Sequence, residues 1–121
     1  MSAIEEKNAV IKAAYFDTER GLSFWMQLDY GGSGQGFGGY MLYTPKSWGR
    51  TPGENFHKQW NYCGHFIYRV LEIAEVSDIA KLIGRTVRVR CEHSKVHAIG
   101  HIVKNDWFNP SEDFEKIEKP F

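Results

Sequence analysis

"LSFWMQLDYGGSGQGFGGYMLYT", residues 22–44, decides the fold. Its first arm alternates: Leu22, Phe24, Met26 and Leu28 point one way, and Ser23, Trp25, Gln27 and Asp29 point the other. Successive side chains of a strand face opposite ways, so this arm is a strand with one buried face. Six glycines then fall within residues 31–40. Gly34, Gly36 and Gly39 have the G-x-G-x-x-G spacing. In a dinucleotide-binding unit that spacing joins a strand to a helix whose N-terminus faces the pyrophosphate. Here "YMLYT" follows, which is strand-like, and no Gly-Lys-Ser/Thr closes a phosphate loop. A kinase-type glycine loop does sit between strands, but the chain has no H-R-D or D-F-G segment. The stretch therefore predicts a hairpin with a glycine-rich second arm. Phe37, Met41 and Tyr43 are expected on one side, and Gly38 and Gly39 are expected under a helix or an aromatic ring.

Residues 8–17, before this hairpin, read as another strand. Residues 44–61, after it, read as an irregular connection carrying Trp48, Phe56 and Trp60. Three large aromatics in a loop either anchor it on the core or form a contact surface. In "YCGHFIYRVLEIAEV", residues 62–76, Cys63, Phe66, Ile67, Val70, Leu71 and Ala74 make one apolar helical stripe. "SDIAKLIG", residues 77–84, predicts a short second helix with Ser77 able to cap it. In "RTVRVRCE", Val87, Val89 and Cys91 face in, while Thr86, Arg88 and Arg90 face out. "HSK" turns, "VHAIGHIV" returns as the antiparallel partner, and "NDWFNP" is expected to leave the sheet. Strands, then helices, then strands predict an α+β fold. We expect a mainly antiparallel sheet of about five strands, packed by one amphipathic helix and a short second helix. One domain spans residues 1–121, with its core in about 8–110 and an acidic tail at 111–121 that forms a marginal helical turn or frays.

Lys plus Arg equals Asp plus Glu at 15 each, so bulk charge points to neither nucleic acid nor membrane. The start is acidic, without the apolar core of a signal peptide, and no apolar run is long enough to span a bilayer. Cys63 and Cys91 read as buried free thiols, although a disulfide between them stays open. Cys91, His93, His97 and His101 bring zinc to mind, but His97 and His101 on one strand would be about 13 Å apart. Cys63 and His65 diverge on a helix, so they make no thiol–base pair. No catalytic set, cofactor site or metal site is expected. A basic segment is the better candidate. Arg88 and Arg90 share an outward face, and Lys95 and His97 lie close in sequence. With Trp25 or Tyr40 nearby, that face would suit a phosphate backbone and stacked bases, or an acidic protein. Trp48 and Trp60 of the connection, with Gly34 and Gly36 of the glycine stretch, complete the candidate contact residues. An exposed strand edge would also allow a homodimer.

"LDYGGSGQGFGGY", "GHFIYRVLEIAEV" and "LIGRTVRVRCEHSKVHAIGHIVKNDWFNPSEDF" together resemble a group of small phage and prophage proteins. That group shows a "GFGGY" segment, an "RVLE" helix and an "IGHIVKNDWF"-like ending, and the resemblance covers most of residues 8–114. It carries no reaction. It implies an accessory protein made in a bacterial cytoplasm that works by binding a host protein or complex. Inhibition of a defence system is one such role. The alternative is a nucleic-acid-binding module for phage replication or recombination.

Overall fold

The computed structural model describes residues 3–19, 21–43 and 56–118, with the backbone alone at 56–61 and 117–118. Within them the chain is an α+β fold. Its elements are β1 (Glu5–Asp17), β2 (Leu22–Asp29), β3 (Gly34–Tyr43), α1 (Phe56–Ala74), β4 (Thr86–Glu92), β5 (Lys95–Gly100), β6 (Trp107–Phe108) and α2 (Pro110–Glu118). The described strands form one antiparallel sheet in the order β3-β2-β1-β4-β5-β6. β1 is long because it serves two partners. Its first half pairs β4 and its second half pairs β2, with a register shift between Ile11 and Ala13. An extra residue bends a strand and strengthens its twist. The sheet accordingly curls until its two ends meet. The Phe37 ring of β3 lies 6.4 Å from the Phe108 ring of β6. Gln35 Nε2 of β3 donates to the carbonyls of Glu92 (3.0 Å) and His93 (3.1 Å).

α1 fills the concave side. Cys63, Phe66, Val70, Ile73 and Ala74 are its buried positions. Phe66 is the hub, with ring centroids 6.0 Å from Phe24, 4.9 Å from Phe37, 5.2 Å from Tyr40 and 5.5 Å from Phe108. Truncating a fully buried phenylalanine costs about 3–5 kcal/mol, so this one side chain holds much of a small domain's net stability. The helix closes with Glu75 in the left-handed region (φ 55). Val76 N–H reaches the Leu71 carbonyl and Glu75 N–H the Glu72 carbonyl, both at 3.1 Å. That is a Schellman closure, a position usually given to glycine.

Several expectations are corrected. Among the described residues the sheet has six strands, because Trp107–Phe108 pairs with β5 instead of leaving the sheet. β5 itself stops at Gly100. Residues 56–61 belong to α1, so the irregular connection is shorter than 44–61. Residues 77–84 hold only one 3-10 turn, Ile79–Lys81, and Asp78 rather than Ser77 caps it, accepting from Ala80 N–H (2.8 Å). The tail is anchored: α2 buries Phe114, stacked 4.3 Å from Tyr62 and edge-on 4.8 Å from Tyr40. The core therefore runs past residue 110. Phe37 and Met41 do not share a face. Met26 pairs Phe37 while Phe24 pairs Tyr40, so one residue is bulged between them. The bulge puts Phe37 and Tyr40 on the core side and turns Met41 to the other. Gly38 and Gly39, at φ 123 and 91, are the residues that can make it.

Candidate interaction face

Cross-strand partners share a face of a sheet. On the face away from α1 this gives a row of Asp17, Ser23 and Met41 and a row of Tyr15, Trp25 and Gly38. At the other end, Asn8, Arg88, Gly100 and Trp107 form one row, and Glu6, Arg90 and Ala98 another. Two tryptophans thus lie on the helix-free face, and each is laid over a glycine of the next strand. A Cβ on Gly39 would stand 2.8 Å from the Trp25 ring, and one on Gly100 2.6 Å from the Trp107 ring. The expectation of an aromatic ring over Gly39 holds.

The two rings differ in what covers them. Trp107 is capped by cations, with the Arg90 guanidinium 3.8 Å and the Arg88 guanidinium 4.9 Å from its centroid. Arg88 also donates to the carbonyls of His101 (2.8 Å) and Lys104 (2.7 Å) and to Glu6 Oε1 (3.3 Å). The other Glu6 oxygen lies 3.7 Å from Arg90 Nε. Arg88 and Arg90 do share the outward face, but Glu6 and the Trp107 ring occupy them. Their aromatic neighbour is Trp107, not Trp25 or Tyr40. Tyr40 lies on the core side, where burial pushes its hydroxyl pKa up.

Trp25 has no cation over it among the described residues. Its indole Nε1 donates to Ser23 Oγ (3.0 Å), which fixes the ring plane. Tyr15 stands beside it in the sheet and accepts from Gln27 Nε2 (3.3 Å). Trp25, Tyr15, Asp17, Glu19, Gly39 and Met41 line most of an open depression of about 480 Å³.

The other predicted contact residues fall elsewhere. Gly36, Lys95 and His97 meet at a smaller pocket of about 160 Å³, on the seam where β3 faces β5. Gly34, the first residue of β3, lines two other depressions, one with Lys7, Tyr30 and Glu92 and one with Lys12 and Asp29. His97 Nε2 lies 3.6 Å from Glu92 Oε2, too far for a hydrogen bond. Trp48 and the side chain of Trp60 lie outside the described residues.

Cys91 is in the core, His93 is in the β4–β5 turn and His101 pairs with Glu75. Among the described residues no three His, Cys, Asp or Glu side chains group as metal ligands. Both cysteines are free and buried, and burial raises the Cys63 thiol pKa. His65 faces away from Cys63, bonded to Asp113 Oδ2 at 2.7 Å. Arg69 joins that cluster. It donates to Glu72 (3.0 Å), to Asp106 (2.9 Å) and to the Trp107 carbonyl (3.1 Å). These groups tie α1 to β6 and α2. Trp107 and Glu6 are the residues sequence reasoning missed. The available signal was Gly100, a gap in a strand that only a ring from a neighbouring strand would fill.

No helix among the described residues is long and apolar enough to cross a membrane. Comparison with protein-family models, with curated proteins and with solved structures gives no match.

Proposed function

We propose that this chain is a phage-type accessory protein that acts by docking on a host protein through the helix-free face of its sheet. The observation that supports this is Trp25. A sheet covered by a helix on one side turns its other side to water, and that side is normally polar. Here it presents a half-buried indole, held in one orientation by Gly39 below and Ser23 at its edge. Rigid aromatics of this kind anchor protein interfaces, because little side-chain freedom is lost on binding. The phage provenance rests on the resemblance across residues 8–114, and inhibition of a defence complex in the bacterial cytoplasm is the role we propose within it. The action is proposed to be binding alone, without catalysis.

The nucleic-acid reading is the weaker one. Arg88 and Arg90 were its strongest residues, and both are already paired with Glu6 and stacked on Trp107. The half-buried ring that remains, Trp25, is flanked by Asp17 and Glu19, which repel phosphate. The deciding experiment is affinity capture from bacterial lysate, with and without nuclease, using wild-type and Trp25→Ala protein. The expected result is a defined protein partner that survives nuclease and is lost with Trp25→Ala. Partners lost with nuclease but retained by Trp25→Ala would overturn this proposal in favour of nucleic acid.

A further inference from the structure

The depression around Trp25 has a chemistry of its own. None of the described residues lining it is cationic. It offers an indole face, the Tyr15 ring, the Met41 thioether and the carboxylates of Asp17 and Glu19. The indole N–H is already spent on Ser23, so the ring offers its π face rather than its polar edge. Asp17 Oδ1 accepts the Glu19 N–H at 2.7 Å, which brings the two residues together. Among the described residues neither carboxylate has an ion-pair partner. At the far end of the same face the protein shows what completes such a ring. Trp107, also seated on a glycine, carries two guanidinium groups, with the Glu6 carboxylate beside them. Trp25 has the glycine, the ring and the carboxylates, and among the described residues no cation lies over it.

We propose that this pocket receives an arginine side chain from a basic segment of the docked partner. The guanidinium stacks on Trp25, its N–H groups meet Asp17 and Glu19, and its aliphatic stem lies along Met41. Arginine fits better than lysine because a planar cation stacks on an indole and offers several N–H groups to two carboxylates at once. The inference rests on the docking face proposed above and adds the chemistry of what it docks.

The test uses the full chain and a defined probe. Acetyl-Gly-Arg-Gly-amide is titrated into 15N-labelled protein, with acetyl-Gly-citrulline-Gly-amide as the uncharged isostere. The Trp25 indole N–H signal is assigned by its loss in Trp25→Phe. The expected result is a saturable shift of that signal with the arginine peptide and little with citrulline. The paired change Asp17→Asn, Glu19→Gln is expected to weaken binding by roughly tenfold, as removing a close charge pair does. Equal shifts with citrulline, or none with arginine, would overturn the proposal. Arg20→Ala is run in parallel because Arg20 lies outside the described residues. A shift seen only in that variant would mean the chain fills its own pocket, which also overturns it. Partner capture separates this inference from its premise. If Trp25→Ala loses the partner and the Asp17/Glu19 pair does not, docking stands and cation recognition falls. If the peptide binds as expected but neither variant loses the partner, the pocket stands and the docking face falls.

Discussion

Gly39 and Gly64 have the same side chain, and adding a methyl group should affect them in opposite ways. At Gly39 the backbone is left-handed (φ 91) and a Cβ would press into the Trp25 ring. Gly39→Ala should therefore cost about 1–3 kcal/mol, the range for a residue forced into a sparse backbone region. It should also change tryptophan emission as the ring is displaced. Gly64 lies on the exposed side of α1, and a Cβ there meets nothing within 4 Å. Gly64→Ala should stabilise by about 0.5–1 kcal/mol, because alanine loses less backbone freedom in a helix. Denaturant midpoints measured on both variants check the two signs. A stabilising Gly39→Ala would mean that Trp25 is not seated on the backbone, and the binding face would lose its fixed element.

At the scale of elements, α2 is the informative case. Composition marks its stretch as acidic, a marginal helical turn or a frayed end, yet it docks through Phe114 on Tyr62 and Tyr40. Asn109 caps it, its side-chain oxygen accepting Glu112 N–H at 3.2 Å. Phe114→Ala should cost about 3 kcal/mol, the low end for a phenylalanine that is not fully enclosed. Equilibrium unfolding in urea would show it. A loss under 1 kcal/mol would mean that the helix rests on the core without holding it. The same element shows what was legible in the sequence. Periodicity exposed β2, β4 and α1, because each presents one clean face to the core. It could not expose α2, where Phe114 is the buried aromatic among the described residues and the Asp113–His65 bond adds a polar tie. β6 is too short to have a period, and its place is set by Trp107 filling the space over Gly100. The bulge in β3 defeated alternation outright: one extra residue moved Tyr40 inward and Met41 outward. Of the candidate contact residues, Arg88 and Arg90 were correctly read as outward. Their shared pairing with Glu6 was not legible, because it depends on β1 pairing with β4, with Glu6 and Arg88 separated by 82 residues.

Across the whole molecule, a curled sheet must be held closed around its helix, and one of the fastenings is pH-dependent. Glu75 occupies a left-handed position that most helices give to glycine, which costs roughly 1–2 kcal/mol. Its carboxylate accepts from His101 Nε2 and lies 3.6 Å from Lys104 Nζ. His101 Nδ1 in turn accepts the N–H groups of Val103 (3.0 Å) and Lys104 (2.9 Å), so Nε2 carries the hydrogen it donates. The result fastens the turn after β5 to the end of α1. The hydrogen bond from His101, with the charge of Lys104 behind it, holds the Glu75 carboxyl below its ordinary value. A carboxyl lowered by folding adds stability that is fully present above its unfolded value, about 4.3, and lost as pH falls through the folded one. Glu75→Gln should therefore melt below wild type at pH 7, and the gap should close as pH drops below about 4. Because Glu75 is at the surface, 1 M salt should narrow the gap as well. Thermal melts of the two proteins at pH 7, 5 and 3 would decide it. A gap unchanged at pH 3 would place the effect in the helix terminus and not in the carboxylate. Such a result would leave the fastening to other hydrogen-bonding side chains, Arg69 and Gln35 among them.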